Sequence, residues 1–174
     1  MATTYTQIGT AVTVGSGGAS SIDFTSIPST YTDLVLRLSL RCTTISGYSL
    51  ARMKLKINSS TSGYSNCLVY YINNTTGSEG IVTDSISYFY ATGSDATGSV
   101  FAVTDIYLPN YAGSTNKATS LDTSTENNAV NVALAFSAGL LSNTAAITGL
   151  SVTSSDGFTI AQYSTAYLYG VSNA

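Results

Sequence analysis

An all-β fold, an antiparallel β-sandwich of jelly-roll-like form, is predicted by three features of this 174-residue sequence. Apolar and polar residues alternate through several runs, as they do along a half-buried strand. Clusters rich in Gly, Asn, Ser and Thr separate those runs and favour turns. No helical segments lie between the strands to carry parallel crossovers, so the chain should close its core by packing two antiparallel sheets. With no repeat at a fixed period and no long linker, residues 1–174 are expected to form one domain.

In chain order, a short strand pair is expected at residues 5–8 and 11–14. The following Gly15-Ser16-Gly17-Gly18 reads as a flexible turn. The clearest strand is DLVLRLSLRC, where Leu34, Leu36, Leu38 and Leu40 point one way and Val35, Arg37, Ser39 and Arg41 the other. Met53, Leu55 and Ile57 alternate in the same manner with Arg52, Lys54 and Lys56. Five of the six basic residues thus fall on the solvent sides of two strands, which are expected to be neighbours.

Further strands are expected at residues 67–72, 85–90, 100–108, 129–137, 147–153 and 165–170, where β-branched and aromatic residues concentrate. In the fourth of these, Val130, Val132, Leu134 and Phe136 recur at every second position, which favours strand over helix. Residues 73–77, 92–95 and 110–113 should be turns, and Pro28 and Pro109 sit at strand edges, where a missing N–H is tolerated. The total is eight to ten short strands.

Composition narrows the function. Charged residues make up 9% of the chain, against about 25% in average globular proteins, so the surface is built from hydroxyls and amides. A net charge of −3 without a basic cluster argues against nucleic-acid binding. The N-terminal MATTYTQIGT has no charged region followed by an apolar core, and no apolar run approaches the length of a membrane span, so neither a secretion signal nor a membrane partner is expected. The sequons at Asn58, Asn73 and Asn74 follow from an Asn-, Ser- and Thr-rich composition.

No histidine occurs, which removes Ser-His-Asp and Cys-His nucleophiles and imidazole metal ligands. Dinucleotide and phosphate-loop fingerprints are missing, and the carboxylates are scattered rather than spaced as a calcium loop. The expectation is a protein without catalytic, cofactor-binding or metal-binding residues. Cys42 and Cys67 lack metal-ligand spacing and read as two buried small hydrophobes, with a disulfide between them left open. Asp105, inside an apolar run, is either an outward strand residue or the partner of an Arg across an interface.

Thirteen tyrosines and no tryptophan suit a wet contact surface. They cluster at Tyr70, Tyr71, Tyr88 and Tyr90, and at Tyr163, Tyr167 and Tyr169. Strand packing with hydroxyls in solvent is the plainer alternative for any one of them.

Two segments resemble a pattern in virion structural proteins of tailed phages, especially phages of cyanobacteria and marine bacteria. The first is IPSTYTDLVLR, carried by Ile27, Pro28, Tyr31, Asp33, Leu34 and Arg41. The second is the C-terminal Leu168-Tyr169-Gly170-Val171, with Val where the pattern has Ile. The resemblance covers the two ends of the chain, not residues 42–145. It implies a non-catalytic protein made in the host cytoplasm and carried on the particle surface. A capsid decoration or cement protein, homotrimeric and bound to the major capsid protein, is the first expectation. A tail-fibre or receptor-binding module contacting host glycan is the alternative.

Overall fold

The computed structural model describes residues 4–43, 47, 49–126 and 132–172. No helix occurs among them, and the strands are β1 (Tyr5–Gln7), β2 (Val12–Thr13), β3 (Ser21–Phe24), β4 (Asp33–Leu40), β5 (Cys42–Thr43), β6 (Leu50–Ile57), β7 (Tyr64–Ile72), β8 (Thr75–Thr83), β9 (Ile86–Thr92), β10 (Ala102–Leu108), β11 (Lys117–Thr125), β12 (Ala133–Leu141), β13 (Leu150–Ser154), β14 (Thr159–Ile160) and β15 (Thr165–Val171). A nine-stranded sheet runs β1-β15-β4-β10-β11-β12-β7-β8, with β2 also paired to β15, and faces a four-stranded sheet of order β3-β13-β6-β9. All pairings between these strands are antiparallel, and β5 and β14 form a small ribbon beside them.

The leucine strand organises the core. Leu34, Leu36, Leu38 and Leu40 are all buried on the inner face of β4. In register, Leu36 lies between Leu168 of β15 and Ile106 of β10. Met53, Leu55 and Ile57 of β6 oppose them from the small sheet with Val152, Ile22 and Phe89. Burying such side chains contributes roughly 1.5–3 kcal/mol each, which fixes the strand register because a one-residue slip would expose the whole set.

Several expectations change. The two basic strands are not neighbours: β4 belongs to the large sheet and β6 to the small one. Both alternate because each lines the core from its own side, and alternation carries no information on pairing. Arg41 does not simply face solvent either. Its guanidinium donates to the carbonyls of Thr97, Val100, Ser94 and Ala96 at 2.9–3.2 Å and so organises residues 94–100.

Two nine-residue strands carry no clear apolar pattern and escape sequence reading. In β11 the inward residues are largely Thr, and β8 is exposed on both faces. Within residues 73–77 only Asn73 and Asn74 form the turn, both with left-handed backbone (φ 51° and 64°), as a tight two-residue hairpin requires.

The strand expected at 129–137 begins at Ala133 and continues to Leu141, while residues 129–131 lie outside the described residues. Its phase is opposite to the usual one. Ala133, Ala135, Ser137 and Gly139 face inward, and Leu134 and Phe136 face out. The inner residues are small because β9 packs closely: a methyl on Gly139 would lie 2.5 Å from Ile86 Cδ1.

The cysteines divide as well. Cys42 is buried, with its sulfur 3.6 Å from that of Met53. Cys67 is an exposed residue on the outer side of β7, and both thiols are free.

Candidate contact surface

The two segments singled out from the sequence meet in space. Thr32 N–H donates to Val171 O at 2.8 Å, and β4 pairs with β15 so that Leu34 lies opposite Gly170 and Val35 opposite Tyr169. The Tyr31 ring lies over Gly170, where an added methyl would sit 2.2 Å from Tyr31 Cγ; only glycine leaves room for the ring. Tyr111 fastens the other side, its hydroxyl donating to Pro28 O while accepting from Tyr31 N–H at 3.4 Å. Asp33 accepts from Tyr107 Oη and from the Asn110 N–H, both at 2.8 Å. That bond to Asp33 is the main reason the Tyr107 hydroxyl is held above the usual tyrosine pKa.

From this brace, a tyrosine ladder spreads over the outer face of β15, β4 and β10. Tyr167 and Tyr169 stack with ring centres 6.5 Å apart, and Tyr5 of β1 meets Tyr169 edge-on at 6.3 Å. Val35, although on the outer face, is buried between Tyr169 and Tyr107 in neighbouring strands. Next in register come Tyr167, Arg37 and Asp105, with Arg37 Nε 3.4 Å from Asp105 Oδ1. Asp105 is thus an outward residue whose arginine partner stands on the adjacent strand of the same chain. Arg37, Asp105, Tyr167 and Tyr169, with Ser39, Val103 and Thr165, line a shallow groove of about 390 Å³.

Further along the same face the character changes. Asp122 lies directly opposite Asp105, and partial burial, then the Asp105 charge, raise its carboxyl pKa. Beyond it Phe136 and Val69 stand side by side, as do Leu134 and Tyr71, all substantially exposed.

The outer face of the small sheet is polar. A groove of about 270 Å³ there is lined by Arg52, Lys54, Asp84, Ser87, Tyr88 and Asp156. Its charges are matched: Arg52 to Asp156 at 3.2 Å, and Lys54 and Lys56 to Asp84 at 4.0 and 3.5 Å. Tyr88 occupies a bulge opposite Met53 and Lys54 with φ 72°, a strained conformation for a tyrosine.

Of the tyrosines marked in the sequence, Tyr167 and Tyr169 join the ladder, while Tyr163 stands exposed apart from it. Tyr70 and Tyr71 take opposite sides of β7, and Tyr90 is buried. Tyr5 and Tyr107 belong to the surface but carried no sequence signal, because strand order alone brings them beside the C-terminal strand. Among the described residues, no group of three or more His, Cys, Asp or Glu side chains is placed to hold a metal ion.

Fold and surface together define an antiparallel β-sandwich with one aromatic and apolar broad face and one polar, ion-paired face. The chain matches no protein-family model and no curated protein.

Proposed function

We propose that this chain is a non-catalytic virion structural protein of a tailed phage, a decoration or cement protein that stabilises the shell through the major capsid protein and its own copies. The tyrosine ladder carries this reading. Its stacked rings, supported by the Arg37–Asp105 pair, make a broad, nearly flat surface that gives contact area at low entropic cost. Docking through an extended face of this kind suits a shell better than it suits a small substrate. The meeting of the IPSTY and LYGV segments adds support, since both halves of the resemblance form one brace behind the ladder. Jelly-roll-like connectivity, location on the particle surface and a homotrimer belong to the same reading.

Quantitative mass spectrometry of purified virions tests it. A copy number comparable to the major shell protein is expected, and absence from particles would overturn the reading. Particles lacking the protein should also lose DNA at a lower temperature or milder osmotic shock.

A second reading, a tail-fibre or receptor-binding module for host glycan, draws on the polar groove with its strained Tyr88. It requires a tail-like copy number, and Tyr88→Ala should then reduce host adsorption without changing particle stability.

A further inference from the structure

Four strands of equal length, β11, β12, β7 and β8, pair in full register: residues 117–125 with 141–133, 133–141 with 72–64, and 64–72 with 83–75. They form a rectangular panel whose inner face carries many small and polar residues beside the buried Tyr64, Leu68, Leu121 and Leu141, while large apolar side chains also stand on its outer face. Small and polar residues such as Thr119, Thr123, Ala135 and Ser137 face inward and are buried. Leu134, Phe136, Val69, Tyr71 and Val82 face outward, with Phe136 56% and Val82 83% exposed. Apolar side chains gain by leaving water, so this pattern has its physical reason where the outer face is covered.

We propose that the outer face of this panel is a self-association surface, covered by a second copy of the same chain. Area is the first argument. Nine residues at about 3.4 Å each and four strands about 4.8 Å apart give a face of roughly 30 Å by 19 Å. Side-chain relief raises this toward the roughly 800 Å² per partner that a stable interface buries.

Charge is the second. Among the panel's outward positions the single charged side chain is Asp122, on the flank strand β11 directly beside Phe136. An apolar centre with almost no charge offers a foreign partner little to recognise by ion pairing. It is chemically complementary to itself, and a two-fold contact, the symmetry in which a patch meets its own copy, covers both panels.

This inference rests on the panel and not on the virion reading, and a panel-to-panel dimer differs from the homotrimer of that reading. The purified protein should sediment at equilibrium as a dimer. Phe136→Asp, at an exposed position, should weaken association by at least about tenfold while leaving the circular dichroism spectrum unchanged. Val69→Lys should do the same, and Tyr163→Ala, exposed apart from both the panel and the ladder, should leave the mass unaltered. Cys67 provides a local readout, because it lies opposite Ala138 within the panel. Its alkylation should be slow in the assembled protein and fast in the Phe136→Asp variant.

A wild-type monomer at tens of micromolar, or an oligomer indifferent to both panel substitutions, would overturn the proposal. Absence from virions with self-association intact would defeat the shell reading alone.

Discussion

At the scale of single residues, two cations placed by the chain's few charges do structural rather than surface work. Lys117 is 1% exposed, and its ammonium donates to the carbonyls of Gly113, Thr115 and Thr144. Arg41 donates to four carbonyls of the 94–100 loop. Removing such a donor leaves partly buried carbonyls without partners, so Arg41→Ala should cost about 1–3 kcal/mol in urea unfolding. Gly170→Ala should cost a similar ~1–3 kcal/mol, because the new methyl meets the base of the Tyr31 ring and not a flexible tip. Alkylation of the folded Phe136→Asp variant distinguishes the cysteines: Cys67 reacts there, whereas Cys42, its thiol pushed up to about 12 by burial and then by Asp156, reacts only on unfolding.

Two aspartates should give stability opposite signs. Asp84 is held below its ordinary value near 3.8 by the Ser85 hydroxyl, with Lys54 and Lys56 adding to the effect. Its contribution is present above that value and is lost as pH falls through the lowered pKa. Asp122 has the reverse sign: its penalty is absent in acid and complete once pH exceeds its raised pKa. At pH 7 Asp84→Asn should therefore destabilise and Asp122→Asn stabilise, each by less than about 1 kcal/mol because both carboxylates are solvent-screened. Unfolding measured at pH 7 and again near pH 3 checks this: the Asp122→Asn difference should be nearly gone in acid, and the Asp84→Asn difference should shrink, vanishing only below the lowered pKa.

At the scale of elements, the β7–β8 hairpin is the least supported part of the large sheet. β8 is exposed on both faces and pairs only with β7, whereas β4 is covered inside and flanked on both edges. In the monomeric Phe136→Asp variant, amide exchange should be fastest in β8 and slowest in β4, the order expected where local opening follows burial. The sequence marked β4 and β6 cleanly because one face of each is wholly apolar. It missed β8 because no position of β8 is fully buried, and β11 because four of its five inward residues are Thr or Lys, which signal a strand only when a neighbour pairs with them. In β12 the alternation was legible, but its phase ran against burial.

At the scale of the whole molecule, the chain passes repeatedly between sheets: β3, β6, β9 and β13 build the small sheet, and the segments between them contribute to the large one. Nearly every pairing beyond the hairpins therefore joins distant residues, including β1 with β15 at the two ends of the chain. Folding should accordingly be slow for the size, in milliseconds to seconds by stopped-flow fluorescence, since loop closure precedes the contacts that reward it.

What the sequence determined by itself is the class: alternating patterns, turn clusters and the leucine strand specify an antiparallel sandwich, because a two-residue period fits only a half-buried strand. The absence of histidine likewise removed imidazole chemistry without reference to any fold. Tertiary structure alone decided which strands are neighbours, that Tyr5 and Tyr107 join Tyr167 and Tyr169, and that Phe136 and Val69 lie outside. The physical reason is that periodicity records which residues share a face of one strand. Which face meets the core, and which strand lies alongside, depend on packing among segments far apart in the chain.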